Sequence, residues 1–338
     1  MTDAATTDVA MERVAVAEIE RIGAAALRAH GAGAWQAGEV ARATARAEQM
    51  GNRICGLYYL ESYCVQLRSG RVDGTVEPAV SRPREGAVTV DARAGFAQPA
   101  FTRGLGPAVE AARRCGIASL AVVHSHTCTS LGFFTERIAA HGLIGIGATN
   151  ASAIVSGPGG GQRILGTNPI AFTVPGESGP RMHADFSTAA VALGKITMAK
   201  AAGESIPEGW AVDAEGRPTT DPEAALGGSL VSAAGYKGWA LGLLVEVLAA
   251  GLTGSVASRD VKGLKLPDGP PHDLGQFYVL IDPATHADML GERFDALAAA
   301  VAEDEGVRIP GAVPKDRESV DVPAALWAAA LSLAGEGA

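Results

Sequence analysis

The chain has 338 residues, which at roughly 150 residues per domain predicts about two domains and a sizeable core. Apolar residues make up 47% of the chain and charged residues 19%, so the disordered and fibrous classes are excluded. The formal net charge of −9 argues against a nucleic-acid partner, because neutralising phosphates requires a basic surface.

Periodicity in the first half predicts helices followed by an α/β layer. Apolar positions recur at helical spacing over residues 9–29 and 34–50, and a third helix is predicted over 57–67, ending at Gly70. From residue 87, short apolar runs alternate with amphipathic stretches, in the order 88–90, 107–115, 117–123, 134–141 and 143–146. That alternation is typical of strands and helices packed in layers.

The middle of the chain, residues 157–222, is dense in Gly, Pro, Thr and Asn, and only 170–174 and 188–202 indicate regular elements there. Loops of this density usually carry function. The later predicted elements are a helix, an apolar run and two more helices, at 236–252, 277–281, 284–303 and 323–334.

Localisation signals are weak in this chain. Nothing near residue 1 combines a cationic start, an apolar run and a small-residue cleavage site, so a secretory signal is not expected. The longest apolar stretch, residues 239–254, is interrupted by Glu246 and is shorter than the roughly 20 residues of a bilayer-spanning helix, so no membrane partner is expected. The four cysteines form no C-x-x-C pair, and reduced thiols in a cytoplasmic protein are the expectation.

Two glycine clusters are candidates for binding phosphate. The segment GIGATN at 145–150 lacks the third glycine and the following helix of a dinucleotide fingerprint, so it is predicted as a strand end. The cluster GPGGG at 157–161 could present successive backbone amides to an anion or form a plain turn, and composition leaves both open. An ordinary Rossmann nucleotide site is therefore not predicted.

The segment His124-Ser125-His126-Thr127-Cys128 carries the most reactive side chains. If the preceding strand continues, its period of two places His124, His126 and Cys128 on one face, where they could ligate a soft metal. Zinc sites usually show more closely paired ligands, so polar residues lining a cleft are favoured and no metal is predicted. Ser125 and His126 would point to opposite faces of a strand, so they are not predicted as a nucleophile and its base.

Two charged residues lie in or beside the glycine-rich middle. Asp185 precedes the predicted helix 188–202, where it could cap that helix and also present a carboxylate to a cleft. Lys237 stands at the start of an apolar helix, the unfavourable end of the helix dipole for a cation, which favours a position beside an anion. A capping aspartate and a solvated lysine are the plainer interpretations.

Seven sequence blocks, taken with their order and spacing, resemble one enzyme family. They are GIGATN (145–150), GG (159–160), LGTNP (165–169), DFST (185–188), GWAVD (209–213), GRPTTDP (216–222) and YKG (236–238). The family is that of the malate/L-lactate dehydrogenases without a Rossmann fingerprint, the sulfolactate-dehydrogenase-like type. It also includes ureidoglycolate dehydrogenase, diketogulonate reductase and the piperideine/pyrroline-2-carboxylate reductases.

The resemblance implies an α/β fold of three layers with a large mixed sheet, which is not a Rossmann fold. It implies NADPH or NADH as the cofactor, a small-molecule substrate, and a homodimer with the active site near the interface. On this basis, residues 81–254 are expected to form a nucleotide-binding α/β domain. Residues 1–80 and 255–338 are expected to form a discontinuous helical domain for dimerisation and the substrate side.

The same resemblance assigns roles to individual positions. Asp185 matches the acid that orients the family's catalytic histidine, and Tyr58, Tyr59 and Thr149 are expected on the substrate side. Cofactor contacts are expected at Thr127, Cys128, Thr129, Ser130, Thr167, Asn168, Pro169, Phe186, Ser187, Arg308, Pro310 and Gly311.

The first catalytic block departs from the family pattern. Gly56, Tyr63 and Gly70 keep the frame, so Cys55 occupies the position of the proton-donating histidine and Tyr59 that of the carboxylate-binding arginine. A histidine with a pKa near 6.5 suits proton donation at neutral pH, whereas a thiol with a pKa near 8.5 suits it less well. Tyr59 cannot reproduce the bidentate contact of an arginine with a carboxylate.

Three functional hypotheses follow. The favoured one keeps hydride transfer from NADPH or NADH but to another substrate, an iminium or a larger uncharged carbonyl, for which Tyr59 offers a hydroxyl or an aromatic face. The second moves the acid to His124 or His126, beside Cys55 or Tyr58, with an ordinary 2-oxo acid as substrate. The third is a protein without reductase activity, either a ligand-binding relative or a catalyst that uses Cys55 as a nucleophile or metal ligand.

Overall fold

The computed structural model describes residues 10–286, 289–311 and 317–336. Its helices are α1 (Val16–Ala29), α2 (Ala34–Met50), α3 (Leu60–Ser69), α4 (Ala97–Cys115), α5 (Gly132–Ala139), α6 (Leu193–Ala202), α7 (Pro222–Gly227), α8 (Tyr236–Glu246), α9 (Leu290–Ala302) and α10 (Ala324–Ala334). Val247–Gly251 extends α8 as a π-helical segment.

The strands are β1 (Met11–Ala15), β2 (Ala79–Arg84), β3 (Ala87–Asp91), β4 (Ile117–Ser125), β5 (Ile144–Thr149), β6 (Ile170–Val174), β7 (Met182–Phe186), β8 (Ala211–Val212), β9 (Pro218–Thr219), β10 (Ser229–Leu230), β11 (Leu274–Ile281) and β12 (Ser319–Pro323). One large sheet has the order β2-β3-β4-β11-β5-β6-β7. In it β3 and β4 run parallel and the other neighbours antiparallel. The predicted α/β fold with a large mixed sheet is therefore confirmed.

Local periodicity predicted most helices well, and it failed where pairing with a distant segment determines the secondary structure. The predicted helix 34–50 matches α2, which ends at Gly51 in the left-handed conformation (φ 79°). A helix from residue 9 is wrong at its start, because Met11–Ala15 forms β1 and pairs with β12 near the other end of the chain. A helix start at residue 107 is also wrong, since α4 begins at Ala97 and Pro107 lies inside it.

Two hydrophobic cores meet beside α2. The first lies between the large sheet and helices α4 and α5, and includes Phe134 and Tyr278. The second joins α1, α2, α3 and α10, and includes Tyr63 and Trp327. Helix α2 contributes Ala43 to the first core and other residues to the second, so the segment that follows α2 is held where the two cores meet.

A strand from the C-terminal part of the chain completes the large sheet. Strand β11 lies between β4 and β5, antiparallel to both, at the centre of the seven strands. The division into residues 81–254 and residues 1–80 with 255–338 stays a prediction, and β11 shows that the second group supplies part of the sheet. None of the helices in the described residues is long and apolar enough to cross a bilayer.

Two buried side chains fasten residues 252–273, here called the 252–273 loop, to α3. Arg71 is 1% exposed, and its guanidinium donates to the carbonyls of Gly263 (3.0 Å), Leu266 (2.7 Å) and Pro270 (3.0 Å). The Gln66 amide donates to the carbonyls of Leu264 and Leu266. Because buried polar groups need partners, these bonds fix the path of the loop over α3.

A pair of stacked histidines lies beside these bonds. His126 donates from Nε2 to the Gln66 Oε1 atom 2.8 Å away, because the Gln66 amide nitrogen already donates to two carbonyls and so fixes Oε1 as the acceptor. Its ring stacks on that of His272 with 4.4 Å between centroids. Burial lowers the pKa of His126 well below its ordinary value, and burial followed by the Arg71 charge lowers the pKa of His272 to about 4.

We expect this histidine pair to make the fold sensitive to acid. Between pH 6.5 and about 4 the unfolded chain binds a proton at residue 272 that the folded chain does not, so stability falls as pH falls through that window. His272 alone contributes about 3 kcal/mol to this loss. Urea unfolding at pH 7 and pH 4.5 measures it. His272→Phe should flatten the dependence and the exposed control His141→Phe should not, and equal slopes in both variants would contradict the prediction.

Candidate active site

Cys55 lies in a short helical turn, Arg53–Cys55, directly after α2. The buried Glu48 carboxylate holds the next residues in place, because its Oε1 atom accepts a hydrogen bond from the Leu57 backbone N–H (2.8 Å). A Cβ atom at Gly56 would lie 2.1 Å from the same Oε1 atom. The frame glycine is therefore required by the close approach of Glu48, and together they fix the position of the thiol.

The Cys55 thiol is protonated and weakly acidic. Burial raises its pKa to about 12, the Asp185 carboxylate adds to the shift, and the Asn52 side chain opposes it. Only the thiolate is a good nucleophile or metal ligand. At neutral pH Cys55 is therefore poorly suited to nucleophilic attack, to metal binding and to rapid proton donation. All four cysteines of the chain are unpaired.

Three tyrosines form a wall beside the thiol. The Tyr59 ring stacks on Tyr63 with 6.2 Å between centroids, and Tyr58 meets Tyr59 edge-on at 5.1 Å. Burial raises the pKa of Tyr59 to about 12, with smaller contributions from Cys55 and Tyr58. Burial also raises the pKa of Tyr63, although the Thr127 side chain opposes that shift. The hydroxyls of this wall are neutral hydrogen-bonding groups at neutral pH.

A lysine of the 252–273 loop lies over this wall. The Lys265 ammonium is 3.7 Å from the Tyr58 ring centroid and 5.5 Å from that of Tyr59, within the range of cation–π attraction. The neighbouring Leu264 packs into the same core as Tyr59. Within the described residues Lys265 forms no ion pair. An unpaired cation therefore lies next to two rings of the tyrosine wall.

Asp185 lies one residue before the end of β7 and contacts the segment before α5. Its Oδ2 atom accepts hydrogen bonds from the Ser130 hydroxyl (2.7 Å) and from the backbone N–H of Gly132 (2.8 Å), the first residue of α5. The prediction that Asp185 caps the helix of residues 188–202 is therefore wrong: that helix begins only at Leu193, and the carboxylate stabilises the N-terminus of α5 instead. The same carboxylate interacts electrostatically with Cys55.

The sequence segments expected to contact the cofactor come together at one edge of the sheet. Residues 127–131 lie between β4 and α5, and residues 167–169 directly precede β6. Phe186, in β7, pairs with Ile170, the first residue of β6. The Ser187 hydroxyl donates to the Thr167 carbonyl (3.1 Å). The backbone N–H of His183 in β7 donates to the Pro310 carbonyl (3.0 Å), which places residues 308–311 against β7.

These segments suit a dinucleotide. Thr127, Thr129 and Asn168 have positive φ values of 36°, 62° and 37°, a strained backbone that clusters at functional sites. Phe186 is 44% exposed and offers an open aromatic face. At Gly311, where φ is 74°, a Cβ atom would lie 2.8 Å from the His183 backbone, so only glycine allows that approach. The edge thus combines close backbone approach with an exposed ring.

Several predicted site residues lie elsewhere. Thr149 is 3% exposed and its hydroxyl donates to the Gly275 carbonyl (2.9 Å). His126 is fully buried behind Tyr63, which argues against proton donation to a substrate, although its role stays a prediction. The His124 Nδ1 atom lies 3.1 Å from the Asp91 Oδ1 atom. Strand β4 ends at Ser125, so the alternation of side chains along the strand does not extend to Cys128. No group of three His, Cys, Asp or Glu side chains in the described residues is placed to hold a metal ion.

Sequence reasoning missed Lys265, Gln66 and Arg71. Their contacts join positions about 200 residues apart, such as Gln66 with Leu266, and no short motif surrounds them. The one available signal was the polar composition of residues 258–273 next to an apolar strand, which predicts a loop but not its partner.

The sequence and structure are those of a known dehydrogenase family. Residues 14–323 match the family described as malate/L-lactate dehydrogenase. The chain is 41% identical over 318 residues to a (2R)-3-sulfolactate dehydrogenase (NADP(+)) of Chromohalobacter salexigens, covering 93% of this chain and 95% of that protein. It is 37% identical over 335 residues to a Δ1-pyrroline-2-carboxylate reductase of Ancylobacter novellus, covering 96% and 98%.

Solved structures agree with these sequence relatives. A Δ1-piperideine-2-carboxylate reductase from Pseudomonas syringae pv. tomato superposes with a TM-score of 0.87 at 31% identity, covering 95% of this chain and 99% of that one. The chain therefore belongs to the malate/L-lactate dehydrogenase family, of the sulfolactate-dehydrogenase-like type. It is an oxidoreductase that uses NADPH or NADH.

Proposed function

We propose that this oxidoreductase reduces a small cyclic imine that carries a carboxylate, with an active site built around Cys55. The carrying observation is the thiol with a pKa of about 12 at the position where the family resemblance places a proton-donating histidine. NADPH or NADH supplies the hydride when bound. The names of the imine-reducing relatives agree with this substrate class.

The state of the thiol decides between substrates. A ketone becomes an alcohol only if a proton reaches its oxygen, and an efficient donor has a pKa near the working pH. Cys55 is a far weaker acid than that. An iminium already carries its proton on nitrogen, so hydride addition to its carbon needs no donor from the protein. The site therefore favours a C=N over a C=O bond.

Charges on the two sides of the site match such a substrate. Asp185 lies close enough to Cys55 to raise the pKa of the thiol, and a carboxylate there stabilises a cationic iminium before hydride addition. The Lys265 ammonium next to Tyr58 and Tyr59 can attract a carboxylate. The substrate would then lie between an anion and a cation, with its C=N bond beside Cys55.

Removing the Lys265 charge should weaken substrate binding. We expect Lys265→Met to raise KM for an imine carboxylate about tenfold with little change in kcat, because an exposed cation holds ground state and transition state alike. Steady-state kinetics measures both constants. The control is Lys200→Met, which should leave KM unchanged. It removes a lysine of α6 that is paired with Glu223 of α7. A KM that is the same in Lys265→Met and the control would refute this role.

A second candidate is oxidation of a 2-hydroxy acid, favoured by the 41% identity to a sulfolactate dehydrogenase. In one assay, NADPH and NADH oxidation is followed with Δ1-pyrroline-2-carboxylate, Δ1-piperideine-2-carboxylate, pyruvate and sulfopyruvate. Faster turnover of the imines supports the proposal. Faster turnover of a 2-oxo acid overturns it in favour of the second candidate, and turnover of none of the four overturns both.

We further propose that the protein is a homodimer. One face of α8 and its extension is exposed and almost wholly apolar, with Leu243 at 41%, Leu244 at 51% and Val247 at 55% exposure, the kind of patch that marks an interface. The opposite face contacts one of the segments expected to bind the cofactor, since Asn168 donates to the Gly242 carbonyl and to Glu246. An interface on α8 would therefore lie directly behind the active site.

A charge on that face should separate the subunits. We expect the native protein to elute as a dimer and Leu244→Glu to elute as a monomer, because a buried unpaired carboxylate in an interface costs several kcal/mol. Light scattering coupled to size exclusion gives the masses. Leu297→Glu on α9, also an exposed leucine, is the matched control and should stay dimeric. A monomeric native protein would exclude the homodimer.

A further inference from the structure

A cavity lies apart from Cys55 and the tyrosine wall. It has a volume of about 400 Å³ and is lined by His124, near the end of β4, and by residues of the 252–273 loop. Its lining residue His272 stacks on His126, which meets Tyr63 edge-on with 6.4 Å between centroids. These rings separate the cavity from the tyrosine wall. We propose that the cavity binds a small α-amino acid with an apolar side chain.

His272 presents unmet hydrogen-bonding capacity to this cavity. It is only 2% exposed; the Gly263 backbone makes a weak contact with the ring, and neither ring nitrogen has a partner of good hydrogen-bond geometry in the described residues. Its ring is neutral at pH 7, so one nitrogen donates and the other accepts. Buried polar groups in folded proteins are nearly always bonded. An occupant with a donor and an acceptor satisfies both nitrogens.

Asp273 adds a buried acceptor at the same place. Its Oδ1 atom is buried and has no hydrogen-bond partner in the described residues, although the residue also lines the cavity. Burial raises the pKa of this carboxyl; the nearby His124 opposes the shift and Asp91 adds to it. An ammonium group is the donor that would satisfy a partly buried carboxylate best.

The backbone around the cavity is strained. Three of its lining residues, Ala94, His124 and Asp273, have φ values of 62°, 52° and 53°, although none is a glycine. Such conformations persist only where surrounding structure enforces them, and they cluster at binding and catalytic sites. Positive φ values also occur at Thr127 and Thr129, in a segment expected to contact the cofactor. The strain is independent of the unbonded polar atoms and indicates the same place.

The remaining lining groups define the ligand class. Lys262 and Asp260 are exposed at the rim, and neither forms an ion pair within the part of the chain that the structure describes. A simple cation would meet the Lys262 ammonium and a simple anion would meet Asp260 and Asp273, whereas a zwitterion matches both signs. Val256, Pro270 and Pro271 provide apolar walls for a side chain.

Calorimetric titration of the full-length protein tests this site. L-Leucine is the probe, with 4-methylpentanoate, which lacks its ammonium, and 3-methylbutylamine, which lacks its carboxylate, as matched ligands. We expect L-leucine to bind with a millimolar or lower dissociation constant and each single-charge ligand at least about tenfold more weakly. Asp273→Asn and the rim variant Lys262→Met should each weaken L-leucine binding by about tenfold.

The control variant is Asp268→Asn, which changes an exposed aspartate of the same loop outside the cavity. It should bind L-leucine as the native protein does. No heat from L-leucine at concentrations up to about 20 mM would overturn the proposal. Binding that is unchanged in both Asp273→Asn and Lys262→Met would also overturn it, because the amino acid would then occupy another place. A crystal soaked in L-leucine that shows only water in the cavity would overturn it as well.

Discussion

Replacing Cys55 by histidine should create a 2-oxo acid reductase, with a rate on pyruvate or sulfopyruvate raised by about 10²–10⁴-fold over the native protein. This is the range that a positioned general acid contributes. The Asp185 carboxylate already interacts electrostatically with residue 55, and there it would favour the protonated imidazole and orient it. Steady-state turnover with NADPH and each 2-oxo acid measures the gain.

Reduction of the cyclic imine should respond differently to changes at residue 55. We expect Cys55→His and Cys55→Ala to keep kcat for the imine within about threefold of the native value, because an iminium needs no proton from the protein. Loss of imine reduction in Cys55→Ala would show that the thiol is the proton donor. No gain of 2-oxo acid reduction in Cys55→His would show that the rest of the site no longer supports ketone chemistry.

The sequence predicted what depends on local pattern and on whole motifs. Helix α2 follows from its apolar spacing and from Gly51, and the large mixed sheet follows from alternating short runs and from the family blocks. The segments expected to contact the cofactor lie close together, as glycine, proline and asparagine at fixed spacing report the backbone conformation directly; their contact with the cofactor stays a prediction. Asn168, with φ of 37°, is one such residue.

The rest of the site depends on contacts that have no local signal. The capping partner of Asp185 is Gly132, about fifty residues earlier, so the sequence suggested a cap on the following helix where the structure has one on α5. Residue 59 alone suggested a substrate side with little positive charge, yet Lys265 brings a cation beside it from the far end of the chain. The weak acidity of the Cys55 thiol is likewise a property of tertiary packing, since burial and the distant Asp185 carboxylate set it.

Arg71→Met should destabilise the fold by about 3–5 kcal/mol. The buried guanidinium donates to three carbonyls of the 252–273 loop, and methionine leaves all of them without a partner in a site closed to water. Urea unfolding followed by circular dichroism gives the free energy. Arg68→Met in the last turn of α3, three residues before Arg71, is the control, since that side chain is exposed and its loss should cost less than about 0.5 kcal/mol.

The same variant also connects stability to function through the loop. Without Arg71, residues 263–270 lose their fixed path over α3, and Lys265 no longer has a defined position above Tyr58. At a temperature where Arg71→Met is still folded, KM for the imine carboxylate should therefore rise towards that of Lys265→Met. The double variant should then show no further rise, because both changes remove one interaction. Independent, multiplying effects on KM would mean that Arg71 acts on the substrate by a route other than Lys265.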